Sequence, residues 1–113
     1  MTQQETDKYI KACLKAWLFC ESCSAAEMNS TTTPRYDLII ECNACAEACF
    51  DVVTQLLSKA DDMGDLPFNC MVHCLQCIEE CQKYQENETI KVCIDSCTAC
   101  AITIKELAVF TLN

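Results

Sequence analysis

The sequence is poor in residues that interrupt helices, with one glycine, Gly64, and two prolines, Pro34 and Pro67, among 113 residues. Sheets with many tight turns and long disordered tracts need these residue types in quantity, so their scarcity favours long helices. No stretch reaches about 18 uninterrupted apolar residues, the length a membrane-spanning helix requires. The N-terminus, Met1 to Lys8, is polar and carries no apolar segment preceded by positive charge. Neither export nor membrane insertion is signalled, and a cytoplasmic location is expected. Basic residues are scarce too: 8 Lys and Arg against 17 Asp and Glu give a formal charge of −9. That charge repels phosphate backbones and anionic lipid surfaces, which argues against nucleic-acid and membrane partners.

Cysteine is abundant, with thirteen in the chain. In a secreted protein that density would suggest a disulfide framework. Three features oppose it: the expected compartment keeps thiols reduced, the count is odd, and most of the cysteines stand at helical spacing, whereas disulfide scaffolds are usually loop-rich.

The length suits one domain, residues 1–113, read as an all-α bundle of four helices at about 3–28, 34–60, 66–85 and 88–111. Thr2-Gln-Gln-Glu5 is a capping box for the first helix. Asn29 to Thr33 reads as a loop, Thr33 as the N-cap of the second helix and Pro34 as its first residue. Asp61 to Asp65 ends that helix, Pro67 fits the first turn of the third, and a break at Glu86-Asn87-Glu88 lets Asn87 cap the fourth. Short connections make successive helices antiparallel, up-down-up-down.

The cysteines fall on one stripe of each helix. Cys70, Cys74, Cys77 and Cys81 are spaced 4, 3 and 4 residues apart, the seam of a heptad. Cys13, Cys20 and Cys23 do the same in the first helix, Cys42, Cys45 and Cys49 in the second, and Cys93, Cys97 and Cys100 in the fourth. Extending the stripes predicts an apolar plug at one end from Tyr9, Leu56, Leu66, Phe68 and Leu107, with Val52 and Ile104 beneath it. The rungs above are expected to begin with Cys13, Cys49, Cys70 and Cys100 and to finish with Cys23, Cys42, Cys81 and Cys93. A thin layer of Leu38, Tyr84 and Ile90, with Met28 beside it, should close the far end, where metal is expected to enter.

A free Cys can simply fill a core as a small hydrophobe. Thirteen on four inward stripes fit that reading poorly, because Leu or Ile there would bury more apolar area at about 25 cal/mol per Å². Sulfurs three or four residues apart on a helix can share one ion, and sulfurs of neighbouring helices can bridge to the next. Soft thiolates select Cu(I), zinc or iron-sulfur clusters. Cu(I) accepts two or three thiolates, so a column of sulfur can hold many ions. Zinc usually takes four ligands, often from CxxC pairs on turns, and remains the competing ion, as the holder of a structural module. Iron-sulfur clusters use Cys runs that no stretch here matches. A thiol redox buffer or sensor is the other alternative, although most of these cysteines are mid-helix on apolar seams, away from the charges that activate thiols. Met28, Met71 and His73 are further soft-donor candidates. His73, the single histidine, falls on a heptad flank, and no orienting partner or cleft accompanies it, so no enzymatic activity is expected.

The motifs Cys45-x-x-x-Cys49, Cys70-x-x-x-Cys74, Cys77-x-x-x-Cys81 and Cys93-x-x-x-Cys97, with Cys20-x-x-Cys23, Cys42-x-x-Cys45, Cys74-x-x-Cys77 and Cys97-x-x-Cys100, resemble the bacterial copper storage proteins. The resemblance covers the whole chain. It implies a cysteine-lined four-helix bundle that stores or buffers Cu(I), several ions per chain, often as a homotetramer. The absent export signal makes this chain look like the cytosolic type. Between Cys13 and Cys20 the first helix carries Ala16 and Trp17.

Overall fold

The computed structural model describes residues 1–30, 32–84 and 87–112, with side chains to Val109. The expected end of the third helix at Gln85, and Glu86 in the break that follows, lie outside the described residues, as does Thr31. Four helices form an all-α bundle: α1 (Gln3–Met28), α2 (Tyr36–Leu57), α3 (Leu66–Cys81) and α4 (Glu88–Leu112). A 3₁₀ turn, Gln82–Tyr84, follows α3. Helix α1 packs on α2 and α4, and α3 on the same two, giving a rod 46 × 21 × 19 Å.

The local signals explain most of the boundaries. Thr2 caps α1 reciprocally with Glu5: the Glu5 N–H donates to Thr2 Oγ1 at 3.1 Å, and the Thr2 N–H reaches Glu5 Oε1 at 3.5 Å. Pro67 lies in the first turn of α3, where its missing N–H costs nothing. Asn87 Oδ1 accepts from the Ile90 N–H at 2.9 Å and caps α4.

Helix α2 departs from its expected span at both ends. It begins at Tyr36, with Arg35 rather than Thr33 as N-cap and Pro34 outside the helix. The Arg35 N–H donates to Glu27 Oε1 at 2.8 Å, and that tertiary bond holds Arg35 extended, at φ −87° and ψ 91°. The helix stops at Leu57, short of 60. Ser58 Oγ donates to the Gln55 carbonyl at 2.8 Å, and Lys59 turns into the left-handed region at φ 56°. Gly64, at φ 57°, closes the following loop and donates its N–H to Asp62 Oδ1 at 2.8 Å.

Each helix buries a single stripe. On α1 it runs Tyr9, Cys13, Ala16, Cys20, Cys23, Glu27; on α2, Leu38, Cys42, Cys45, Cys49, Val52, Leu56. On α3 it runs Pro67, Cys70, Cys74, Cys77, Cys81, and on α4 Ile90, Cys93, Cys97, Cys100, Ile104, Leu107. Small flanking residues, among them Ala46, Ala48 and Ala101, are buried and allow close approach between helices.

Two expected core members lie elsewhere. Phe68 is 45% exposed, and Pro67, three residues before Cys70, takes the seam position. Met28 is 55% exposed, and Glu27, four residues after Cys23, points inward instead. Met63, in the α2–α3 loop, adds an unexpected buried side chain to the plug formed by Tyr9, Leu56 and Leu107.

Candidate metal centre

All thirteen cysteines are free thiols, and none is more than 2% exposed. Their sulfurs form one continuous network along the bundle axis. Cys13 Sγ lies 3.8 Å from Cys100, and Cys49 lies 3.7 Å from Cys70 and 4.0 Å from Cys74. Cys45 bridges Cys74 at 3.6 Å and Cys97 at 3.8 Å. Cys20 contacts Cys97 at 3.4 Å, Cys93 at 3.8 Å and Cys77 at 4.0 Å. Cys77 reaches Cys42 at 3.9 Å and Cys81 at 4.0 Å.

Three quartets have every sulfur within 4.8 Å of the others: Cys49/Cys70/Cys74/Cys100, Cys20/Cys77/Cys93/Cys97 and Cys23/Cys42/Cys81/Cys93. The last contains one cysteine from each helix and coincides with the expected outermost rung. The column follows directly from the heptads: at about 1.5 Å rise per residue, the α3 row alone covers roughly 16 Å.

Sulfur neighbours and burial decide the protonation state. Cys20 is pushed up chiefly by its contact with Cys45, Cys49 and Cys74 by Cys100, and Cys77 by Cys20, with desolvation adding to each. Neighbouring sulfurs push Cys81 and Cys93 the other way, through Cys23 and Cys20 respectively, because S–H groups stabilise the first thiolate formed among them. A column of uncompensated thiolates would be untenable at this depth, so the metal-free core is essentially a column of thiols that cations can deprotonate.

Beyond the outer quartet, Leu38 and Ile90 are buried and Tyr84 is half-buried. Glu27, 7% exposed, joins this layer. Arg35 Nε and Nη2 donate to its two carboxylate oxygens at 2.9 and 3.0 Å, and the Arg35 guanidinium lies 4.2 Å from the Tyr84 ring centre. Hydrogen bonding from Arg35 holds the Glu27 carboxyl below its ordinary range. The sequence patterning did not include Glu27, although its four-residue spacing from Cys23 continues the α1 stripe.

The three other donors considered lie apart from the column's centre. Met28 is exposed, and Met71 is half-buried against the core. His73 is half-buried with Nδ1 enclosed and lacking a hydrogen-bond partner among the described residues, and it belongs to none of the sulfur quartets.

The fold and the sulfur column define a metal-binding four-helix bundle whose core, rather than a loop, supplies the ligands. The sequence model of the copper storage protein family matches residues 2–109, and the chain belongs to that family. No curated protein and no solved structure matches the chain. Its function is therefore copper binding and storage by thiolates inside the bundle. No helix among the described residues is long and apolar enough to cross a membrane.

Proposed function

We propose that the chain stores copper as Cu(I), many ions per molecule, with all thirteen cysteines as ligands and the whole chain acting as one unit. The observation that carries this is the unbroken sulfur network from Cys13 to Cys23, with neighbouring Sγ atoms from 3.4 Å to no more than 4.8 Å apart. An ion satisfied by two or three thiolates can occupy such a column at successive levels, each sulfur bridging two ions, and the soft donor set selects the monovalent state. Each ion bound releases protons from the thiols that receive it. The role is storage or buffering, with no catalytic step.

Copper enters at the end closed by Leu38, Ile90, Tyr84 and the Glu27–Arg35 pair. That layer is one residue thick and partly polar, whereas the opposite end is plugged by Tyr9, Leu56, Met63 and Leu107. The expected cytoplasmic location suits thiols that must stay reduced. Self-association into a homotetramer has surface to draw on, since Ile40, Phe50 and Leu57 on α2 are each close to half exposed or more. Light scattering on the reduced protein checks that assembly.

X-ray absorption of the copper-loaded protein tests the ligand set. The proposal predicts a Cu(I) edge and a shell of sulfur alone. A Cu(II) edge, or a dominant nitrogen and oxygen shell, would overturn it.

A further inference from the structure

The three sulfur quartets carry a second kind of metal chemistry. Around an ion such as zinc, with metal–sulfur bonds of about 2.3 Å, the edge of a thiolate tetrahedron is about 3.8 Å. Separations inside two of the quartets bracket that value, 3.4 Å for Cys20–Cys97, 3.7 Å for Cys49–Cys70 and 4.0 Å for Cys20–Cys77, and in all three quartets every pair lies within 4.8 Å. A tetrahedral ion is therefore accommodated by side-chain adjustment, without moving a helix. The quartets are not independent, however. Cys93 belongs to both Cys23/Cys42/Cys81/Cys93 and Cys20/Cys77/Cys93/Cys97, while Cys49/Cys70/Cys74/Cys100 shares no member with either.

We propose that the core also binds divalent thiophilic cations of tetrahedral preference, zinc or cadmium, as closed four-thiolate sites, two per chain, with Cys93 setting the limit. Each ion displaces four thiol protons and leaves a tetrathiolate of charge −2. When Cys93 serves the outer quartet, Cys20, Cys77 and Cys97 are one ligand short; when it serves the inner one, Cys23, Cys42 and Cys81 are. Cu(I) escapes this limit because it accepts fewer, shared sulfurs. An ion in the outer quartet ties all four helices together at one level. It also stands between the thinly closed entry end of the bundle and the deeper sulfurs, so it slows copper loading; that consequence alone rests on the copper reading above.

Cobalt(II) is the probe, because its tetrathiolate sites absorb intensely in the visible while octahedral cobalt hardly absorbs. Reduced, metal-free protein titrated anaerobically should saturate at two tetrahedral ions per chain. Cys93→Ser should reduce this to one, whereas Cys42→Ser and Cys97→Ser, each removing only one of the overlapping quartets, should leave two. The double variant Cys20→Ser/Cys23→Ser removes both overlapping quartets with Cys93 intact and should also give one, which guards against a folding defect in Cys93→Ser. Three tetrahedral ions in the parent protein, a count indifferent to Cys93 and to the double variant, or weak octahedral absorption throughout would each overturn the proposal. Copper titration of the same sample keeps the two readings apart: full copper loading without tetrahedral cobalt sinks this inference alone.

Discussion

Arg35 clasps Glu27 at two points across the α1–α2 connection, Nε to Oε1 at 2.9 Å and Nη2 to Oε2 at 3.0 Å, one turn beyond Cys23. The Glu27 side chain is 8% exposed and that of Arg35 30%, so the pair is partly shielded from solvent. At the other end Lys8 and Glu106 meet at 2.7 Å, but both are more than half exposed.

Glu27→Ala should therefore destabilise the metal-free protein by about 1 to 2 kcal/mol, the worth of a partly shielded charged hydrogen-bonding group. It should also speed Cu(I) uptake without changing final capacity, because the layer over the outer quartet loosens. Lys8→Ala serves as the control and should leave both the urea midpoint and the uptake rate unchanged. Urea denaturation and stopped-flow loading measure the two effects; equal uptake rates in the two variants would refute copper entry at the Glu27 end. The carboxyl of Glu27 is held below its usual 4.5, so the clasp's contribution is present above that pH and fades as pH falls below it.

Alkaline pH should destabilise the metal-free protein. The thiols of Cys20, Cys49, Cys74 and Cys77 are raised above their ordinary 9.0, so above about pH 9 the unfolded chain loses protons that the folded chain keeps. Stability then falls with pH, by about 1.4 kcal/mol per unit for each retained proton. Thermal melts from pH 9 to 10.5 under reducing conditions should show this decline. Copper-loaded protein, whose thiols have already lost their protons, should show a much smaller one.

Acid should weaken copper retention in the loaded protein. Protons compete with Cu(I) for the same sulfurs, so a fixed concentration of a Cu(I) chelator should withdraw more copper at pH 5 than at pH 7.5. Retention that does not change with pH would mean that the bound copper displaces no thiol protons.

Ala16 is fully buried on the α1 stripe between Cys13 and Cys20, the one place on that stretch of seam without a sulfur. Ala16→Cys should keep the helical signal and raise copper capacity by about one ion, as shared thiolates allow. Unchanged capacity would mean that sulfurs at this level do not limit loading.

The stripes themselves were legible because cysteine, Leu, Ile and Val at alternating spacings of three and four admit only one inward face per helix. The outer rung of Cys23, Cys42, Cys81 and Cys93 follows from that register and from antiparallel order. The ends were less legible, because tertiary contacts overrode local signals there. Thr33-Pro34 is a sound helix start in isolation, yet the bond from the Arg35 N–H to Glu27 moves the start to Tyr36. Hydrophobicity favoured Phe68 and Met28 for the core, whereas register placed their neighbours Pro67 and Glu27 inside. The pairing that reconciles a carboxylate with that depth comes from eight residues away, beyond the reach of helical periodicity.

The central claim is that a continuous thiolate column holds many Cu(I) ions. Anaerobic titration of reduced, metal-free protein with Cu(I), followed by thiolate-to-copper absorbance and by metal analysis after gel filtration, tests it most directly. About six to thirteen ions per chain, half to one per cysteine, are predicted. Saturation at one or two ions would contradict the account and reduce the column to a structural metal site within an otherwise ordinary core.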